Sequence, residues 1–240
     1  VGWSVSAFPE CGEAVISFAE SYQSPEDGGF GSYGDSEGNR LRAERRARKM
    51  VRRYCTANAI DRLVTVTFAP PFCTDPRELT EHRKRFVRRL RCSLGHRFPY
   101  VWVPELHKDG VKLHAHLGIN QFVKKSQMAE VWGHGFVDLR LIRVRGSKNE
   151  LDHRRRAAGY LSKYIGKAFD QAETFGCHRY EVGQGFQPRC EKRVFQSEDE
   201  ARQWASTLMG GGTPTYVWHS TDVEDWQGPP VSVAYWDEIT

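Results

Sequence analysis

The pair Asp109-Gly110 lies between two runs rich in β-branched and aromatic residues, 99–107 (PYVWVPELH) and 112–120 (KLHAHLGIN). An Asp-Gly connection is a strong signal for the tight turn of an antiparallel hairpin, because glycine reaches the positive φ that such a turn demands. The turn also sets register. With Asp109 and Gly110 as the loop, Glu105 falls directly across from His114, with side chains roughly 5 Å apart. His107 then faces Lys112 and lies diagonal to His114. A slip of one residue would make His107 the better partner.

The elements around this hairpin follow from pattern. Residues 62–69 (RLVTVTFA) alternate and are β-branched, which predicts a strand, and Pro70-Pro71 ends it. Thr74-Asp75-Pro76 is a helix start, after which Leu79, Phe86, Val87, Leu90 and Leu94 recur at helical spacing. Ser126 is expected to cap a short helix that Gly133 ends, and residues 136–144 (FVDLRLIRV) form the next strand. A helix over about residues 152–169 follows. The order over residues 62–144 is β-α-β-β-α-β, an α+β fold of the ferredoxin-like, split βαβ kind with an antiparallel sheet. An arginine-dense helix over residues 40–56 precedes it. Residues 178–195 read as a hairpin or a loop layer, and residues 198–209 as a helix.

Charge is segregated along the 240 residues. Residues 1–39 carry 7 acidic side chains and no basic one, residues 40–193 carry 34 basic and 15 acidic, and residues 194–240 carry 1 basic and 8 acidic. A basic middle points to a polyanionic partner. The acidic ends divide the chain into an expected flexible tail (1–39), a central domain (40–193) and a Trp-rich extension (194–240). One expectation for the ends is that they screen the basic face from nonspecific DNA. No run approaches the roughly 18 apolar residues of a membrane span, so no membrane partner is expected. Residues 1–20 lack the basic region of a secretory signal. Six cysteines without a Cys-x-x-Cys pair argue against a zinc ribbon or a redox motif, and fit reduced thiols in the cytoplasm.

Two constellations carry chemistry. Side chains alternate along a strand, so His114 and His116 point to one face of the sheet. With Glu105 across the hairpin they make an open set of two imidazoles and a carboxylate. Such a set suits Mg²⁺ or Mn²⁺ with water and phosphate oxygens completing the sphere, and zinc accepts it too. The second constellation is a helical stripe. Tyr160, Lys163, Tyr164 and Lys167 fall on one face, while Ala158, Leu161, Ile165, Ala168 and Phe169 form a separate apolar stripe that can pack on the sheet. A phenol is a poor nucleophile when neutral. A nearby ammonium stabilises the phenolate, and a metal polarises a phosphate under attack.

Together these motifs resemble the HUH endonuclease superfamily, in particular rolling-circle replication initiators, over roughly residues 40–193. Leu63-Val64-Thr65-Val66-Thr67-Phe68 looks like the first motif of that group. His114-Ala115-His116-Leu117 looks like the second, and Tyr160-Leu161-Ser162-Lys163-Tyr164 like a two-tyrosine version of the third. The resemblance implies metal-dependent nicking of single-stranded or cruciform origin DNA. Glu105, His114 and His116 would hold Mg²⁺ or Mn²⁺. Tyr160 would attack to give a 5′-phosphotyrosine, Lys163 would neutralise charge with Lys167 alongside, and Tyr164 would act in rejoining. Arg83, Arg88, Arg154, Arg155 and Arg156 would hold the DNA backbone. A host helicase and polymerase would be partners, since no Walker A pattern is present. Two other readings stay open. One is a conjugative relaxase or single-strand transposase of the same superfamily. The other is a non-enzymatic ferredoxin-like module that binds nucleic acid.

Overall fold

The structure is a computed structural model and describes residues 2–19, 36–170, 179–224, 226 and 228–237. They divide into two compact units, Glu37–Gly146 with His153–Gln187, and Val1–Ser36 with Ser147–Asp152 and Pro188–Thr240.

The first unit is a five-stranded antiparallel sheet built from β3 (Arg62–Val66), β4 (Tyr100–Leu106), β5 (Leu113–Ile119), β6 (Val137–Leu141) and β7 (Glu181–Val182). Strand order is β6-β3-β5-β4-β7. Without the short edge strand β7, this is the order of a ferredoxin-like βαββαβ unit, as the element pattern predicts. The hairpin register is the one expected from Asp109-Gly110, with Glu105 opposite His114. Gly110 takes φ +70°, and the Asp109 carboxylate accepts hydrogen bonds from the Val111 and Lys112 amides, both at 3.0 Å.

Alternation sends β-strand side chains to two cores. On one face Val64, Val66, Trp102, Ala115 and Leu117 pack against helices α2 (Pro76–Leu94) and α3 (Lys125–Trp132). Leu79, Phe86, Val87 and Leu90 are the buried stripe of α2, as their spacing predicts. Asp75 caps that helix, its side chain accepting from the Arg77 amide. For α3 the cap differs from expectation. Its N-cap is Lys124, with no side-chain hydrogen bond, while Gly133 ends the helix as expected, in the left-handed region.

On the other face Leu63, Val101 and Val103 pack against α1 (Ser36–Ala57) and α4 (Glu150–Asp170). The apolar stripe of α4 does what the sequence asks of it, since Ala158, Leu161 and Ile165 are buried there; the side chains of Ala168 and Phe169 lie outside the described residues. Gly118 allows the close approach. A Cβ at that position would sit 3.0 Å from Ile60 Cγ2 and 3.4 Å from Leu161 Cδ1. Glycine here lets α4 settle onto β5 two residues beyond His116.

The second unit corrects the expected division into tail, domain and extension. Residues 2–19 are not a tail. They form β1 (Gly2–Phe8) and β2 (Glu13–Ala19), two of the three inner strands of a second antiparallel sheet of order β8-β1-β2-β10-β9. The partners are β8 (Glu191–Phe195), β9 (Tyr216–His219) and β10 (Val231–Tyr235). Helix α5 (Glu198–Leu208) packs Ala201 and Ala205 against Val5, Ala7, Ala14 and Ile16. Of the two expectations for residues 178–195, a hairpin or a loop layer, the hairpin does not form among the described residues: β7 pairs with β4 in the first sheet and β8 with β1 in the second. Residues 20–35, which hold the Gly- and acid-rich run, lie outside the described residues.

Candidate active site

Four strands carry one polar patch on the α1/α4 face. Register places Thr65 of β3 beside His116 of β5 and beside Asp138 of β6, and His114 beside Glu105 of β4. One ligand atom from each of Glu105, His114 and His116 lies within 4.8 Å of the others, so this cluster could hold a metal ion. Glu105 Oε2 is 2.9 Å from His116 Nε2 and 3.9 Å from His114 Nε2. Thr65 Oγ1 lies 3.1 Å from His116 Nδ1, which fixes the ring plane and turns Nε2 toward the carboxylate. The donor set, two imidazoles and one carboxylate on a sheet face, fits a divalent cation with open coordination positions. His107 stacks on His114 at 4.4 Å between ring centroids and stands outside the three-residue cluster.

Helix α4 brings the tyrosines over this patch. The Tyr164 ring lies 4.2 Å from the His116 ring, centroid to centroid. The two tyrosine hydroxyls are 3.5 Å apart. They differ in setting. Tyr160 is 41% exposed, with the Lys163 ammonium 5.7 Å above its ring. Tyr164 is partly buried, and desolvation, then the Tyr160 hydroxyl, push its pKa well above the ordinary phenol value. The Lys167 side chain lies outside the described residues.

The arginines expected to hold DNA divide sharply. Arg83 is buried. Its Nη1 donates to Glu181 Oε1 at 2.5 Å and to the Tyr100 hydroxyl at 3.4 Å. These two partners hold it in the wall of the sheet, away from the surface. Arg88 is exposed, but on α2, which packs against the opposite face of the sheet from the tyrosines. Arg154 and Arg155 are half-buried, and Arg156 is exposed and donates to the Arg145 carbonyl at 3.3 Å. All three sit on α4 just before Tyr160.

Sequence reading missed three neighbours of the site. Thr65 lay inside a strand motif without an assigned role. Asp138 and Arg140 form a pair on β6, Arg140 Nε to Asp138 Oδ2 at 2.6 Å. The Arg140 charge acts on Tyr164, favouring its phenolate against the stronger effect of burial. Their alternation along residues 137–141 was visible, but which sheet face they share with the histidines depends on pairing with β3.

Residues 61–169 match the family described as Replication-associated protein ORF2/G2P. That segment runs from the residue before β3 nearly to the end of α4, so it holds Thr65, Glu105, both histidines and both tyrosines. The match supports a role in replication initiation. No curated protein and no solved structure matches the chain.

Proposed function

We propose that this chain is a rolling-circle replication initiator of the HUH type, which nicks one strand of origin DNA and holds the 5′ end as a phosphotyrosine. The observation that carries the reading is the contact of the Tyr164 ring with the His116 ring, centroids 4.2 Å apart, with the Tyr160 hydroxyl 3.5 Å from that of Tyr164. Two candidate nucleophiles and a metal-ligand set thus share one face, inside the segment similar to replication-associated proteins.

Glu105, His114 and His116 would hold Mg²⁺ or Mn²⁺. Such an ion, when bound, draws charge from the scissile phosphate and makes its phosphorus a better electrophile. The protein's own groups do the rest. The Tyr160 oxygen forms a bond to phosphorus, the bond from phosphorus to the 3′ oxygen breaks, and the phenol proton is made up on that leaving oxygen as a 3′-hydroxyl. Lys163, close above the Tyr160 ring, favours the phenolate by its charge. Tyr160 attacks first because it is the more exposed of the two and has Lys163 over its ring, whereas burial disfavours the Tyr164 phenolate. Tyr164 supplies the second attack, on a second scissile phosphate; the 3′-hydroxyl freed there attacks the first phosphotyrosine, breaks its bond to the Tyr160 oxygen and rejoins the strand, and the Tyr160 oxygen regains its proton. Arg154, Arg155 and Arg156 steady the backbone alongside, and Arg140 adds a cation on the β6 side. The freed 3′-hydroxyl would prime a host polymerase, with a host helicase opening the duplex in the cytoplasm.

Polarity of attachment tests the proposal. An origin oligonucleotide is labelled separately at its 5′ and 3′ ends and incubated with the protein and Mn²⁺. The proposal predicts that the 3′-labelled fragment travels with protein through denaturation and the 5′-labelled fragment runs free. Attachment of the 5′-labelled fragment, or cleavage with no attachment, contradicts it.

A further inference from the structure

On the other side of strand β4 from Glu105, a cavity of about 650 Å³ opens between α2 and the β4–β7 edge. Trp102, Pro104 and Leu79 give it an apolar lining, Tyr180 adds an aromatic wall, and Thr80 faces it from α2. The ion pair between buried Arg83 and half-buried Glu181 lies in the same wall. A guanidinium offers donors and a carboxylate offers acceptors, so the pair can meet the edge of a nucleobase. Arg77 and Lys84 also line the opening, and both are exposed. They are two helical turns apart, roughly 10 Å by helical rise, so both cations lie on one exposed face of α2 at the mouth of the cavity, where a strand's phosphates can meet them. Glu81 lies between them and bonds Lys84 at 2.6 Å, so a phosphate must displace an exposed ion pair, which costs little.

The volume is that of a small-ligand pocket, enough for one nucleotide and too small for a duplex. Its position names the strand. β4 pairs with β7 only at Val101 and Trp102. Beyond that point Pro104 faces the cavity while Glu105, the next residue, faces the histidines. Consecutive residues of β4 thus face the cavity and the metal-ligand cluster from the two faces of this edge.

We propose that this cavity receives one unstacked nucleotide of the DNA strand whose phosphate meets the tyrosines; the proposal rests on the nickase reading above. The test is fluorescence anisotropy with the full chain in EDTA, using labelled single-stranded 12-mers that span the nick site. Thr80→Trp fills the cavity from the helix surface. It is expected to weaken binding about tenfold, the size of losing one base's stacking. The exposed pair Arg77→Ala with Lys84→Ala is expected to weaken binding and to flatten its salt dependence by about one to two phosphates. Unchanged affinity in the double variant, or in a folded Thr80→Trp, overturns the proposal. Free deoxynucleoside monophosphates should compete at least tenfold more weakly than the strand; equal competition would assign the cavity to a free nucleotide and overturn it. The Mn²⁺-dependent adduct, measured separately at saturating 12-mer, tells the two readings apart. Unchanged affinity with a normal wild-type adduct sinks the cavity alone. Weakened binding in the variants with no wild-type adduct sinks the nickase alone.

Discussion

Glu105 Oε2 sits 2.9 Å from His116 Nε2 and 3.9 Å from His114 Nε2, although His114 is its cross-strand partner. The carboxylate leans diagonally and bridges toward both rings. A cation at His116 Nε2 replaces the 2.9 Å contact by bonds from the imidazole and the carboxylate to one ion, so Mn²⁺ should bind the folded chain and tie the two strands together. At a hundred times its Kd the metal should stabilise the fold by about 2.7 kcal/mol. Melting curves with and without Mn²⁺ check this. Glu105→Ala should abolish the melting shift; an undiminished shift would remove Glu105 from the site.

Thr65 holds His116 by Nδ1, the ring nitrogen turned away from Glu105. Thr65→Val keeps the shape and deletes the 3.1 Å contact to Nδ1. Loss of such a supporting partner costs about 10- to 100-fold in metal affinity. The expected result is weaker Mn²⁺ binding by that factor with little change in melting of the apo protein. Equal affinity would show that packing alone holds the ring.

The two tyrosines should separate kinetically. Tyr160→Phe is expected to abolish the first covalent adduct. Tyr164→Phe should leave it within about tenfold, the scale of one lost hydrogen bond to the attacking group, and should block release and rejoining. Time courses of adduct formation and of joined product measure both. The reverse pattern would exchange the roles.

The hairpin turn has an acid limit. Hydrogen bonds from the Val111 and Lys112 amides hold the Asp109 carboxyl down to about 2. A carboxyl depressed in the folded state contributes stability above its ordinary value, and that contribution disappears as pH falls through the folded value. Between about pH 4 and about pH 2 the turn, and with it the register of Glu105 against His114, should loosen. Asp109→Ala should flatten the acid limb of stability in that window. An NMR titration of the Asp109 carboxyl near its ordinary value would refute the account.

How far the sequence reveals this molecule depends on distance along the chain. The β4–β5 register was legible because Asp109-Gly110 sets it locally, and the α4 stripes were legible because they repeat within one helix. The setting of Arg83 was not legible because its partner, Glu181, lies on a strand of two residues far downstream. The second sheet was missed for the same reason: β1 and β2 find β8 and β10 across most of the chain, and their small residues, Ser4, Ala7 and Ala14, give weak hydrophobic contrast. This changes the use of a truncation. Removing residues 1–39 would take out two inner strands rather than an acidic screen, so charge-neutralising substitutions are the sound way to ask what the acidic ends do.

The central claim is that Tyr160 and the Glu105–His114–His116 cluster form one transesterification site. The most direct measurement mixes the protein with single-stranded oligonucleotides tiled across its own origin and Mn²⁺, then resolves the mixture on a denaturing gel. The account predicts an SDS-resistant protein–DNA adduct that vanishes with EDTA, with His114→Ala and with Tyr160→Phe. Folded protein that binds these oligonucleotides yet gives no adduct on any of them would contradict it and leave a nucleic-acid-binding module.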